Sequence, residues 1–306
     1  MPAKYPYFNK RYVIYLLVIA LLLYAVLPQL NAFKRSISLL EHVNVSWLLL
    51  AVVVSLVAHI VSGFKYVSLA LKPLRVFATV LVQLASLLVN RLVPAGIGGI
   101  GINYLYLSKF KHNKVQSAVV VSMNNLVGFV GHMALVALVL LVAPTTSFNF
   151  HLSSYIVVIA TLLVFIIGLG AYTFRKRFTK LLAQLLTSLR IYRRHPLKIV
   201  WAVFWSMVIA ASYAACLWYS AKALGLQLNF LQALVVLTLG IAATSISPTP
   251  GGLIGVEAAL VAGLVAYNSS ASQALAVALL YRLITYWFAL LLGAFAFVAC
   301  RRAKYF

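Results

Sequence analysis

The chain has 306 residues, of which 64% are hydrophobic and only 9% are charged. A water-soluble globule needs a more polar exterior than this composition can supply, so we expect a polytopic integral membrane protein. At about 20 apolar residues per crossing, a chain of this length supplies about eight to ten helices. That count leaves no stretch for a soluble catalytic domain.

The charge is strongly one-sided. Lys and Arg together number 25 against 2 acidic residues, Glu41 and Glu257, which gives a net charge of +23. The basic residues sit at the ends of apolar segments, as juxtamembrane anchors do, so we predict membrane anchoring and no binding of nucleic acid. The histidines and the two cysteines, Cys216 and Cys300, have no metal-ligand spacing, so the sequence predicts neither a metal site nor a cofactor.

The apolar segments predict an all-α fold with about eight transmembrane helices. The first, 12–27, follows basic residues as a signal peptide would, but no small-residue cleavage site follows it, so we interpret it as an uncleaved helix. The others, in chain order, are 47–67, 76–93, 115–142, 152–172, 199–221, 230–247 and 273–300.

Two further apolar segments, 94–110 and 248–267, begin with clusters of Pro and Gly that break a helix or make it re-entrant. They read PAGIGGIGINYLYL and PTPGGLIGVEAALV, and their predicted structural breaks are Pro94, Pro248 and Pro250. They align without a gap, and the matched pairs are Pro94 with Pro248, Gly98 with Gly252, Gly101 with Gly255, and Asn103 with Glu257. We therefore predict a single membrane domain, 1–306, built from two related repeats, 47–142 and 199–300.

The distribution of basic residues predicts how the repeats are oriented. If both broken segments cross the membrane and the amino terminus is cytoplasmic, nearly all Lys and Arg lie on the cytoplasmic side, with only Lys34, Arg35 and Lys222 opposite. If both segments dip and return, the basic residues divide almost evenly, so the positive-inside rule favours crossing. The helix 152–172 between the repeats then inverts the second one, as in many transporters. This topology predicts a cell (cytoplasmic) membrane protein with both termini cytoplasmic.

Between the repeats lies a basic amphipathic linker, 173–198. Its leucines recur at helical spacing and its cations occupy other faces, which is typical of a helix lying on an anionic leaflet. An ordinary cytoplasmic connector is the alternative interpretation.

Three charged residues, Arg91, Glu257 and Arg282, fall within the predicted membrane. Such residues are costly in a bilayer and tend to be paired or to line a pathway. As the only acid of the second repeat, Glu257 is the natural partner of Arg282, either as a structural ion pair or with a direct role toward substrate or a coupling proton. Arg91 precedes Pro94 and a glycine cluster, where a cation and free backbone N–H groups would suit a phosphate. Close helix packing is the alternative explanation of those glycines.

The motif PTPGGLIGVEAAL, followed by LLYRLITYW, and the first-half stretch NRLVPAGIGGIG resemble the lysylphosphatidylglycerol synthase transmembrane-region family, also described as flippase-like. The resemblance covers residues 13–299 and implies lipid handling. Together with the charges in the membrane, it gives the candidate substrate-binding residues Arg91, Glu257, Arg282, Asn90, Asn103, Gly98, Gly101, Gly251, Gly252 and Gly255.

Two stretches depart from the family pattern. Relatives commonly have an acid and, a few residues on, an Arg where this chain has Asn103 and Tyr106 or Leu107, and they often have Glu-Arg where it has Asn124 and Asn125. The aminoacyl-transfer domain of the synthases is not in this sequence, so the resemblance implies a stand-alone member and no synthase activity.

These observations predict a lipid translocator that moves an anionic phospholipid or a polyprenyl-phosphate-linked lipid across the bilayer. A non-transporting membrane partner of a lipid-modifying enzyme, either a glycosyltransferase or an aminoacyl-lipid synthase, is the alternative. A membrane-embedded transferase ranks third, because it needs a base and Glu257 is the one candidate. Without Asp no Ser-His-Asp set for hydrolysis is possible either, so we expect no enzymatic activity. The expected partners are anionic membrane lipids, with a homo-oligomer and a partner enzyme both left open.

Overall fold

The structure is a computed structural model that describes residues 43–93, 97–110, 112–142, 189–246 and 249–306. Regular secondary structure within these ranges is helical throughout, so the predicted all-α class is confirmed. The helices are α1 (Val45–Leu69), α2 (Val76–Leu92), α3 (Ile97–Lys109), α4 (Lys114–Val142), α5 (Pro196–Ala223), α6 (Phe230–Ile246), α7 (Gly255–Ala266) and α8 (Ala271–Arg302).

Four of these helices are long and apolar enough to cross a membrane. They are α1, α4, α5 and α8, with 25, 29, 28 and 32 residues. Helices α2 and α6 have 17 residues each, and α3 and α7 have 13 and 12. The protein is therefore an integral membrane protein, whereas the predicted number of eight crossings is not established by these lengths. The predicted helices 12–27 and 152–172 and the linker residues 173–188 lie outside the described residues.

Local sequence explains where several helices begin. The Asn44 side chain accepts hydrogen bonds from the backbone N–H groups of Ser46 and Trp47 and so caps α1. Ser270 caps α8 by accepting from the N–H of Gln273. Helix α5 begins at Pro196, at a position where the missing N–H would have no helical partner. The basic linker therefore ends at His195, one residue before α5.

The first broken segment turns the chain back on itself, so that α2 and α3 form an antiparallel hairpin. The Thr79 hydroxyl near the start of α2 lies 2.9 Å from the Tyr106 hydroxyl near the end of α3. Deeper in the hairpin, the Gln83 side chain donates to Asn103 at 2.6 Å. At the tip, the N–H of Gly99 donates to Asn90 at 3.0 Å. We call this unit the first hairpin.

The second broken segment makes the same kind of hairpin from α6 and α7. Gly263 and Gly240 are the close contacts between its two helices: an added Cβ would lie 3.1 Å from Val236 and 3.2 Å from Leu260, respectively. At the tip, Gly252 has a φ of +68° and packs against the Thr244 backbone. We call this unit the second hairpin.

The two hairpins share a close contact at aligned positions. A Cβ on Gly98 would approach the Val89 carbonyl oxygen to 2.5 Å, and one on Gly252 would approach the Thr244 Cα to 3.2 Å. In both hairpins, therefore, a glycine lets the returning chain touch the backbone at the end of the preceding helix. The inverted relation of the two repeats stays a prediction.

One end of the helix bundle is strongly basic. The loop after α3 and the carboxyl terminus meet there, since the rings of Phe110 and Tyr305 are 5.9 Å apart. Tyr192, just before α5, is fully buried at the same end and donates to the Leu69 carbonyl. The cations of this basic end are Lys72, Arg75, Lys109, Lys114, Arg190, Arg193, Arg194, Lys198, Arg301, Arg302 and Lys304.

At the opposite end of the bundle, a lysine ammonium group makes cation–π contacts with two tryptophan rings. The N–H of Asn44 donates to the Ala223 carbonyl, which joins the start of α1 to the end of α5. The Lys222 ammonium lies 4.6 Å from the ring centre of Trp47 and 4.1 Å from that of Trp218. A lysine held over tryptophan rings is typical of a membrane interface.

The hairpins start from opposite ends and their tips meet beside the middle of α8. Helix α2 runs along the second half of α8, where Gly293 faces the backbone of Leu84 and Leu88. The tip of the second hairpin, Pro250–Gly252, also contacts α2. At this level α8 contains a π-helical segment, Leu283–Phe288. Such segments interrupt α-helices frequently at functional sites.

Thiol labelling tests which loops share an end. In a Cys216→Ala, Cys300→Ala background, we expect a membrane-impermeant thiol reagent to reach Lys109→Cys and Lys304→Cys from the same side, because Phe110 and Tyr305 are in contact. Lys222→Cys should react only from the other side. Labelling of Lys109→Cys and Lys304→Cys from opposite sides would contradict this arrangement.

Gly293 tests the packing of α2 on α8. A Cβ there would lie 2.8 Å from the Leu88 nitrogen and 3.0 Å from the Leu84 oxygen, both backbone atoms that cannot rotate away. We expect Gly293→Ala to destabilise the protein by about 1–3 kcal/mol, measured as a lower Tm in detergent. Gly101→Ala is the matched control, since no atom lies within 4 Å of an added Cβ and the Tm should not fall.

Candidate functional site

The meeting point of the two hairpin tips contains an ion pair between Glu257 and Arg282. Arg282 Nε donates to Glu257 Oε1 at 2.6 Å, and both side chains are buried. Glu257 lies in the first turn of α7, where the positive end of the helix dipole also favours a carboxylate. The pairing predicted from the sequence is therefore present, and it ties the second hairpin to α8.

A second contact of Arg282 depends on left-handed backbone at the hairpin tip. Arg282 Nη2 donates to the Gly251 carbonyl at 3.1 Å, and Gly251 has a φ of +61°. A side chain at Gly251 would come within 2.4 Å of the Tyr286 ring, so only glycine fits there. Ile254, just before α7, has a φ of +72°, which is costly for a β-branched residue.

Arg91 reaches the same place from the first hairpin. Its Nη2 donates to the carbonyl of Thr285 in the π-helical segment at 2.9 Å. Its Nε is buried and has no hydrogen-bond partner in the part of the chain that the structure describes. The Tyr286 ring joins the two arginines, with Arg91 Cζ 5.2 Å and Arg282 Cζ 4.6 Å from the ring centre. We call Arg91, Glu257, Arg282 and Tyr286 the cationic centre.

The cationic centre carries more positive than negative charge. It contains two guanidinium groups and one carboxylate, which is bonded to Arg282, and Glu257 is the only acid among the described residues. The face of the Tyr286 ring stabilises both cations, but it carries no compensating charge. An anion bound beside Arg91 would neutralise the excess. The described ranges contain no cluster of His, Cys, Asp or Glu that could hold a metal ion, so the available ligand groups are cations and backbone.

Sequence reasoning missed three aromatic or histidine neighbours of this centre. Tyr286 is nearly fully buried between the arginines. The Tyr213 hydroxyl on α5 lies 3.4 Å from Nδ1 of the buried His59 on α1. Arg91 is close enough to interact electrostatically with both Tyr213 and His59. The one available signal was the position of Tyr286, four residues after Arg282 on the same helix.

Several predicted site residues lie elsewhere. Asn103 is buried inside the first hairpin, where it bonds Gln83 and the Gly99 carbonyl, and Asn90 accepts from the Gly99 N–H at the tip. These bonds shape the first hairpin and none reaches the arginines.

Of the predicted glycines and prolines, one contributes to the cationic centre and the others described lie elsewhere. Gly251 belongs to the centre through its carbonyl, whereas Gly98 and Gly252 make close backbone contacts. Gly101 faces open space, Gly255 begins α7, and Pro250 begins the tip turn of the second hairpin. Pro94 and Pro248 lie outside the described residues.

A double-mutant cycle tests the buried ion pair. Glu257→Gln leaves Arg282 without its carboxylate in a buried place, and we expect this to cost about 3–5 kcal/mol in unfolding free energy. Arg282→Gln should lower the unfolding free energy by a similar amount, because it leaves the buried Glu257 carboxylate without its cation. The double substitution should cost clearly less than the sum of the two. Additive losses in detergent unfolding would contradict a direct pairing.

The family described as the lysylphosphatidylglycerol synthase TM region matches residues 12–293, which is nearly the whole chain. No curated protein matches it at a significant level. The match includes both hairpins and every residue of the cationic centre, and it agrees with the resemblance found in the sequence motifs. The chain belongs to the lysylphosphatidylglycerol synthase transmembrane-region family.

Proposed function

We propose that this protein is a lipid translocator that moves an anionic phospholipid or a polyprenyl-phosphate-linked lipid across the bilayer, without enzymatic activity of its own. The family match supports a membrane protein related to lipid handling. Translocation of an anionic lipid is supported by the cationic centre, where two guanidinium groups and a single carboxylate, bonded to Arg282, lie at the meeting point of the hairpin tips.

The chemistry of the centre suits a phosphate group. Guanidinium groups bind phosphate through paired N–H donors, and bonds between such charged partners are stronger than neutral ones. The buried Arg91 Nε is a donor without a partner among the described residues. Arg282 is held by Glu257 and Gly251, so phosphate would meet Arg91 first and then share Arg282 with Glu257. This competition would keep binding weak enough for release.

The lengths of the hairpin helices suggest the depth in the bilayer at which the phosphate would bind. Helices α2 and α6 are each about 25 Å long, shorter than the bilayer's hydrocarbon core of about 30 Å, and their tips meet beside the middle of α8. We therefore infer that both hairpins are re-entrant, with the cationic centre near the bilayer midplane. Irregular backbone at such depth is tolerated only where protein or a water-filled cavity surrounds it.

Re-entrant hairpins differ from the full membrane crossing of the broken segments that the positions of the basic residues favoured. They nevertheless leave nearly all Lys and Arg on the same side of the membrane. A re-entrant hairpin returns the chain to the end from which it started, as two crossings would. The basic end, facing the cytoplasm, would then lie against the more anionic leaflet of the cell membrane. The two hairpins, approaching from opposite ends, would be the elements that open the centre to one leaflet or the other.

The alternative function, a non-transporting partner of a lipid-modifying enzyme, draws its main support from the basic amphipathic linker. Most of that linker, 173–188, lies outside the described residues. No contact of the described residues favours it over translocation.

Lipid transport in reconstituted vesicles tests the proposal. In phosphatidylcholine vesicles containing trace fluorescent phosphatidylglycerol or polyprenyl phosphate, the wild-type protein should speed movement between leaflets, measured by bleaching the outer leaflet. Arg91→Gln should slow it about tenfold or more, since a hydrogen bond to a charged group contributes about 1.5–3 kcal/mol. Arg91→Lys should retain part of the rate, because it keeps the charge without the fork of donors.

Lys222→Gln is the matched control, because it also removes one cation. Lys222 lies over Trp47 and Trp218, at the end of the bundle opposite the basic end. The rate of Lys222→Gln should equal that of the wild type. Transport no faster than in protein-free vesicles, or a full rate in Arg91→Gln, would refute translocation through the cationic centre.

A further inference from the structure

A cavity lined mainly by apolar side chains lies near the cationic centre. It has a volume of about 450 Å³ and is bordered by α4, α5 and α6, with Lys65 of α1 reaching into it. Ligand sites commonly measure about 300–1,000 Å³, so the cavity can hold a phosphate-bearing head group.

The lining of this cavity carries one positive charge and no negative one. Lys65 is its only charged lining residue, and the only described acid, Glu257, belongs to the cationic centre. His132 is 93% buried and lines the cavity; its Nε2 lies 3.0 Å from the Thr238 hydroxyl. His132 Nδ1 has no partner in the described part of the chain. The Thr238 hydroxyl donates to the Leu234 carbonyl and so accepts from His132 Nε2, which leaves Nδ1 as an acceptor that an anion does not bind. Lys65 is therefore the group of the lining that attracts an anion.

The mouth of the cavity is apolar. Phe129, Met133 and Ile241 line it and are 65%, 36% and 44% exposed within the described structure. An occupant that satisfied both regions would carry an anionic group at Lys65 and hydrocarbon at the mouth, which is the construction of an anionic phospholipid. Lys65 lies one turn before the end of α1, so the head group would come from the leaflet at the basic end.

Tyr213 connects the cavity to His59, which lies in the neighbourhood of the cationic centre. Tyr213 lines the cavity, and its hydroxyl lies 3.4 Å from His59 Nδ1 on the other side. His59 Nε2 has no partner among the residues described, and both rings lie within electrostatic range of Arg91.

We propose that this cavity is a lateral binding site for the phosphate head group of an anionic phospholipid, through which the lipid reaches the cationic centre past Tyr213 and His59. The role as a path rests on the proposed function. The binding site itself stands on Lys65 and the apolar mouth, so the two can fail separately.

Photo-crosslinking in nanodiscs tests the site. The full chain carries p-benzoyl-phenylalanine in place of Phe129 at the mouth, or in place of Phe295, a 77% exposed residue of α8 that does not line the cavity. The nanodiscs contain equal amounts of phosphatidylglycerol and phosphatidylcholine, and mass spectrometry identifies the attached lipid. We expect phosphatidylglycerol to be enriched severalfold at position 129 and not at 295.

Charge variants identify the cause of that enrichment. Lys65→Gln should abolish it, Lys65→Arg should keep it, and Lys222→Gln should leave it unchanged. Equal labelling of both lipids at position 129, enrichment that survives Lys65→Gln, or crosslinks to the protein's own chain instead of lipid would overturn the site.

Transport by the same variants separates the two proposals. If Lys65→Gln loses enrichment but the wild type does not transport, the lipid site stands and translocation fails. If Arg91→Gln loses transport while Lys65→Gln changes neither enrichment nor rate, translocation stands and the lateral site fails. Loss of both enrichment and transport in Lys65→Gln supports the path.

Discussion

The Arg282 guanidinium has to be kept charged inside the protein, and much of the surrounding structure follows from this requirement. A buried cation is tolerated when a carboxylate and further acceptors surround it. Here the carboxylate comes from the first turn of α7 and the second acceptor is the Gly251 carbonyl. Both lie at the tip of one hairpin, so the charge of Arg282 and the position of that tip stabilise each other.

Arg91 brings a second cation to the centre from the first hairpin, but no second acid pairs with it among the described residues. Its partners are the Thr285 carbonyl and the Tyr286 ring, which are polar or polarisable and uncharged. The centre is thus held together by its own residues and yet carries excess positive charge. The proposed transport depends on this balance, because the empty site must be stable and an anion that binds there must also be able to leave.

The sequence predicted part of this arrangement and could not have predicted the rest. Glu257 had one plausible partner in its repeat, so the pair with Arg282 followed from charge alone. The bond from Arg91 to Thr285 joins residues 194 positions apart, and it depends on how two hairpins stack, which hydropathy does not encode. Tyr213, Tyr286 and His59 look like ordinary core residues in apolar helices. Asn103 aligns with Glu257 in the sequence, but without a charge it is satisfied by Gln83 inside its own hairpin.

The π-helical segment of α8 has a consequence for how this helix can vary in length. The first half of α8 must turn Arg282 toward α7, while its second half must turn Gly293 toward α2. The π-helical segment Leu283–Phe288 lies between Arg282 and Gly293 and sets the rotation of one residue relative to the other around the helix axis. Removing one residue there would rotate one half against the other by about 100°, since an α-helix has 3.6 residues per turn. Single-residue insertions and deletions should therefore be excluded from this stretch, even though its sequence, LITYWF, looks like any apolar span.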